Sequence, residues 1–139
     1  MKNSLQTLSR IQKFNIDEHR KILADLINRQ DVFKAQLEQL AKSFEAEKEF
    51  ARSNFGMGDF GAYVKRYMQQ REKLEMQIAA LEQQIEQERD LIADMFKEQK
   101  TYEIVDQRRA DRMQKEEEQK AQKVLDEIGT NAYIKNNKQ

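Results

Sequence analysis

Gly56-Met57-Gly58-Asp59-Phe60-Gly61 holds three of the four glycines in a proline-free chain of 139 residues. Glycine adopts turn conformations at little steric cost, so this stretch is where a long helix is able to reverse. On its N-terminal side, Ile16, His19, Leu23, Leu26, Gln30, Phe33, Leu37, Leu40, Phe44, Glu47 and Ala51 recur in alternating steps of three and four. On its C-terminal side the same step runs through Val64, Tyr67, Arg71, Leu74, Ile78, Leu81, Ile85, Glu88, Ile92, Met95, Gln99 and Tyr102. Each series places one apolar seam on a helix and requires a second helix to cover it. The expected fold is all-α: a long two-helix antiparallel coiled-coil hairpin.

The expected boundaries are a helix over 4–53, a turn over 54–59, a helix over 60–128 and a tail over 129–139, forming a single coiled-coil domain over 1–139. Asn3 or Ser4 is able to cap the first helix, and Gly129-Thr130-Asn131 to stop the second. At 1.5 Å per residue the helices would measure about 75 Å and 100 Å. Leu5, Leu8 and Ile11 keep a three-residue step that drifts from the later seam, which predicts a stutter near Phe14 to Ile16.

With the turn centred near Met57, Leu23 should face Ile92, Phe33 face Leu81, Leu37 face Ile78 and Leu40 face Leu74. Phe44 should meet Arg71, with its guanidinium over the ring and a diagonal pairing to Glu47. Ile16 should meet Gln99 and His19 meet Met95. Everything after Met113 should overhang its partner. Gln30, Glu88 and Gln99 are polar residues in an apolar seam, where such groups fix register at a cost in stability.

Charged residues make up 36% of the chain and hydrophobic ones 38%, with formal net charge zero. That is the composition of a solvated helix pair whose single seam cannot enclose a pocket lined on several sides, so an enzyme is not expected. Neither half is basic enough for a nucleic-acid footprint. No cysteine is present, which removes disulfides and thiol metal sites and fits a reducing compartment. No apolar run reaches the roughly twenty residues a bilayer span needs, and the polar start Met1-Lys2-Asn3-Ser4 lacks a signal peptide's apolar stretch, so cytoplasmic residence is expected. His19, the one histidine, has no second ligand at four-residue spacing and reads as a half-buried seam residue. Glu86/Asp90 and Asp90/Asp94 read as solvated surface charge beside Arg89 and Lys97. No catalytic residue, metal ligand or cofactor is assigned.

Phe50, Phe55, Phe60 and Tyr63 crowd the turn, where a two-helix hairpin has little interior. They are the candidate partner-binding residues, because exposed aromatics mark contact surfaces; the competing reading is that they close the end of the coiled coil. Phe14 and Ile22, with Leu91, Phe96 and Ile104, form a second off-seam group that either widens the seam or docks a partner helix.

Several stretches together resemble the bacterial flagellar FliJ family, particularly its alphaproteobacterial forms. They are Leu5-x-x-Leu8-x-Arg10-x-x-Lys13-Phe14-x-Ile16-Asp17-Glu18-x-Arg20-Lys21, Gly61-Ala62-Tyr63, Arg71-Glu72-Lys73-Leu74-Glu75, Phe96-Lys97-Glu98-x-Lys100-x-Tyr102-Glu103 and Leu125-Asp126-Glu127-Ile128-Gly129. They span almost the whole chain in order. No one of them is specific, and the weight lies in their combination with the length and the placed glycine turn. The resemblance implies a non-catalytic component of the flagellar type III export apparatus, shaped like the stalk of a rotary ATPase. Its implied partners are the export ATPase FliI, the export gate protein FlhA and export chaperones, at the cytoplasmic face of the membrane. The chain itself reads as a monomer. The alternative is a coiled-coil chaperone or scaffold that binds a client or partner helix without an ATPase. A further alternative, an extended dimer zipped between two chains, is disfavoured by the glycine turn.

Overall fold

The computed structural model describes residues 2–54 and 59–137. Two helices account for nearly all of them: α1, Lys2–Ser53, and α2, Phe60–Asn137. They pack against each other as a helical hairpin, and no strand occurs among the described residues. Contacts divide the chain into two units, one of residues 14–96 and one of residues 1–13 with 97–139.

The helix ends beside the turn are capped by side chains. Asn54 donates both its backbone N–H (2.9 Å) and its side-chain amide (3.1 Å) to the Phe50 carbonyl, which the end of α1 would otherwise leave without a partner. Asp59 accepts the Ala62 N–H at 3.2 Å, an N-cap bond that also places a carboxylate at the positive end of α2. The glycines Gly56 and Gly58 lie outside the described residues.

In the unit 14–96 the core is Leu26, Leu81 and Ile85, with Leu23, Ile27 and Phe33 packed against it. Ile16 and Ile92 are also buried. Apart from Ile27, all of these occupy seam positions, so the periodicity identifies the buried faces correctly. The level at which the faces meet differs from expectation. Phe44 stacks on Tyr67, with ring centroids 4.0 Å apart, and not on Arg71. His19 bonds Glu88 at 2.9 Å, nearer the turn than the expected Met95. Gln30 bonds the Ile78 carbonyl and Glu82. Arg71 instead pairs with Glu75 on its own helix at 2.9 Å. These contacts bring Phe44 to a partner four residues, and His19 to one seven residues, nearer the turn than the counting argument chose, whereas Phe33 and Leu81 line one groove as expected. Apolar contact alone does not separate the registers, because every seam layer offers it.

In the other unit, Gln12 and Gln99 are buried and Leu5 and Ser9 half-buried, whereas Leu8 and Ile11 are 43% and 51% exposed. The seam of α1 therefore runs back in phase through Gln12, Ser9 and Leu5, and the predicted stutter is not needed. Leu5 and Ser9 line one groove with Tyr102 and Asp106. From Gln107 to Asn137 every α2 residue is exposed, so the uncovered segment begins earlier than Met113.

Two expected helix ends also move. α1 begins at Lys2, which places Ser4 inside the helix. α2 passes through Gly129 to Asn137, beyond the expected stop at Ile128. A single glycine inside a helix costs only about 1 kcal/mol, and Thr130, Asn131 and Ala132 continue the hydrogen-bonded ladder without a proline to break it.

Candidate functional site

Aromatic side chains gather at the turn end of the unit 14–96. Asp59 starts α2 so that Phe60, Tyr63 and Tyr67 follow at three- and four-residue steps along one face. All three rings stack on Phe44, at 6.2, 6.3 and 4.0 Å. Phe60 and Tyr63 lie 6.1 Å from each other and are half-buried. Stacked rings of this kind stabilise by about 0.5–1.5 kcal/mol beyond their area burial. Of the four aromatics expected to form a contact surface, these two have a partner inside the hairpin. Phe50 is different: it is 55% exposed on the last turn of α1. Phe55 lies outside the described residues.

Along the same unit an open groove of about 430 Å³ is lined by Arg29, Val32, Phe33, Gln77, Ala80 and Leu81. A neighbouring groove shares Gln77 and Ala80 and is bounded by Lys73 and Met76. Val32 is 56% and Met76 66% exposed, so apolar side chains border both grooves without a cover. Neither residue is on the seam, and the sequence reading did not single them out. The available signal was weak: Met76 and Ala80 stand four apart, one step away from Leu81.

Within this unit Gln30 and His19 each find a polar partner across the helix pair. Gln30 donates at 2.7 Å to Glu82, and His19 shares a 2.9 Å contact with Glu88. Of the second off-seam group within this unit, Phe96 lies under the Arg20 guanidinium, 5.0 Å from its centroid, while Phe14, Ile22 and Leu91 stay exposed.

In the other unit the Glu98 carboxylate accepts from Gln12 at 3.1 Å and from the Tyr102 hydroxyl at 2.6 Å. That hydrogen bond to a carboxylate holds the Tyr102 phenol above its ordinary ionisation range. Gln99 donates to Ser9 at 3.4 Å and to Glu103 at 3.5 Å. Ile104 is exposed. Among the described residues no three histidine, cysteine or carboxylate side chains are grouped to hold a metal ion. Among the described residues no helix is long and apolar enough to cross a membrane. These surfaces offer apolar and aromatic side chains on a preformed helical frame, the chemistry of a docking surface for another protein.

A family model described as flagellar FliJ protein matches residues 1–138. No curated protein and no solved structure matches the chain.

Proposed function

Since the chain belongs to the flagellar FliJ protein family, and is thereby a coiled-coil component related to flagellar export, we propose that it acts as a stalk. It engages the ring of the export ATPase FliI, contacts the export gate protein FlhA and export chaperones, and promotes export without chemistry of its own. The observation that carries this reading, beside the family, is the α2 segment from Gln107 to Asn137, exposed on all sides. A bare helix of 31 residues, counted from 107 to 137, extends about 45 Å at 1.5 Å per residue and offers every face to the inside of a ring. Its site of action is the cytoplasmic face of the membrane, where the export machinery draws its substrates.

Addition of the protein should raise ATP hydrolysis by the export ATPase at low ATPase concentration, where ring assembly limits the rate. Truncation after Asp106 should abolish that effect. Absence of stimulation at every concentration, with binding confirmed, would refute the stalk. Phe50, Phe55, Phe60 and Tyr63 supply the contact to the gate or the ATPase in this proposal. Phe50→Ala should weaken partner binding without changing the melting transition, whereas Phe60→Ala should lower the melting temperature as well, through its stack on Phe44.

The grooves beside Val32 and Met76 favour a second reading, a scaffold or chaperone that seats a client helix along the hairpin. Retained client binding by the truncated chain, with no effect on ATP hydrolysis, would select it.

A further inference from the structure

The uncovered end of α2 carries an apolar stripe that its own chain does not use. Continuing the α2 seam in steps of three and four from Tyr102 and Asp106 leads through Arg109, Met113 and Glu116 to Lys120, Lys123, Glu127, Thr130 and Ile134, a row that is polar apart from Met113 and Ile134. An apolar row stands elsewhere: Ala121, Leu125, Ile128 and Ala132, spaced four, three, four on a different face of the helix, with the exposed Val124 at its edge and Tyr133 and Ile134 off it. Leu125 is 62% and Ile128 59% exposed. A longer α1 kept in its own register would still not meet this face.

The stripe is symmetric about its midpoint. Small, large, large, small is the order read in either direction, and the next positions outward, three residues away on each side, are Glu118 and Lys135. Two such helices laid antiparallel set Leu125 of each copy against Ile128 of the other and Ala121 against Ala132. At both ends the same two-fold axis places Glu118 against Lys135, so the charges are complementary. A parallel pairing would put Glu118 against Glu118 and Lys135 against Lys135, which is repulsive. Gly129 borders the stripe, and a Cβ there would meet nothing within 4 Å. Nothing within the chain therefore demands a glycine inside this helix, whereas small residues beside a seam let a second helix approach closely.

We propose that the segment from Glu118 to Lys135 is a self-association site whose occupant is the same segment of a second copy, paired antiparallel about a two-fold axis. Such an interface is isologous and closes at two chains. It is short, with two large apolar residues from each copy, so pairing is weak and concentration-dependent. It also covers part of the helix that the stalk reading assigns to a ring, so the free protein would be held apart from its partner by its own concentration.

Sedimentation equilibrium of the full chain from micromolar to millimolar concentration tests this. The expected result is a reversible monomer–dimer equilibrium. Leu125→Glu/Ile128→Glu should leave only monomer, with the melting of the unit 14–96 unchanged as a check on folding. Lys135→Glu should weaken the dimer at least fivefold, and Glu118→Lys combined with Lys135→Glu should restore it, since the swap re-forms both end pairs. The chain has no cysteine of its own, so Ala121→Cys and Ala132→Cys variants report the register. A mixture of the two should form disulfide-linked dimers faster than either alone. A chain that stays monomeric to millimolar concentration overturns the proposal, as does a dimer indifferent to the charge swap. A monomer whose Leu125 and Ile128 become protected only on addition of the export ATPase also overturns it and gives the stripe to that partner, leaving the stalk reading intact.

Discussion

Gln30 is 4% exposed, between the apolar seam residues Leu26 and Phe33, and its replacement by leucine tests whether it holds the hairpin together or only holds it in register. The amide donates at 2.7 Å to one oxygen of Glu82 and at 3.3 Å to the Ile78 carbonyl. A bond to a charged acceptor contributes about 1.5–3 kcal/mol, and the low end applies because Glu82 is exposed and regains water when the amide is gone. The Ile78 carbonyl lies inside α2 and already accepts a helical N–H, so the longer bond adds little. Against this, leucine in a fully buried site contributes about 1.5–3 kcal/mol relative to solvent. Gln30→Leu should therefore change stability by less than about 1 kcal/mol, on the stabilising side, whereas Gln30→Ala should destabilise by about 2–3 kcal/mol through the lost contact and the space left behind. Urea unfolding followed by circular dichroism at micromolar concentration measures both. Register is read separately from cysteine pairs: Leu23→Cys with Glu88→Cys should cross-link within one chain in the otherwise wild-type background, and Leu23→Cys with Ile92→Cys should do so only slowly. With Gln30→Leu added, the second pair should gain on the first. A loss of more than 2 kcal/mol in Gln30→Leu, or an unchanged cross-linking preference, would refute the view that this amide sets register more than stability.

Asp59→Ala removes the bond to the Ala62 N–H and should cost about 1 kcal/mol in the same unfolding assay, with Asp59→Asn retaining most of the stability. Amide exchange should be much faster from Gln107 to Asn137 than around Leu26 and Ile85, since nothing in the hairpin covers the former; equal protection would show a partner for that segment. Tyr102, held above the ordinary value of 10.0 by its bond to Glu98, should be missing from the early part of a phenolate absorbance titration, and Tyr102→Phe should leave that early part unchanged. The sign follows from the protonated form being the one stabilised: the contribution of this bond is present below pH 10 and is lost as pH rises through the raised value.

Much of the hairpin is legible in the amino-acid sequence. Periodicity assigned the buried faces, and Leu26, Leu81, Ile85 and Ile92 are buried where the seam placed them. The glycine-rich stretch marked where one helix gives way to the next: α1 ends at Ser53 and α2 begins at Phe60, with Gly61 in its first turn and Gly56 and Gly58 outside the described residues. Family membership was legible as well, in short motifs distributed along the chain and matched over residues 1–138. The candidate contact surface was legible only in part. Aromatic content drew attention to Phe50, Phe60 and Tyr63, but which ring is exposed depends on where Phe44 comes to rest. Val32 and Met76 gave no strong signal, because a single apolar residue off the seam is ordinary on any helix.

What the amino-acid sequence determines by itself is the face of each helix that is buried, since a three-four repeat fixes angle around the axis. It does not fix height along the axis. A shift of one seam step brings leucine against leucine again, so apolar burial changes little between neighbouring registers. The choice falls to side chains that do not repeat: Phe44 against Tyr67, His19 with Glu88, Gln30 with Glu82, each requiring its partner within a few ångströms. Those contacts exist only once the two helices lie side by side.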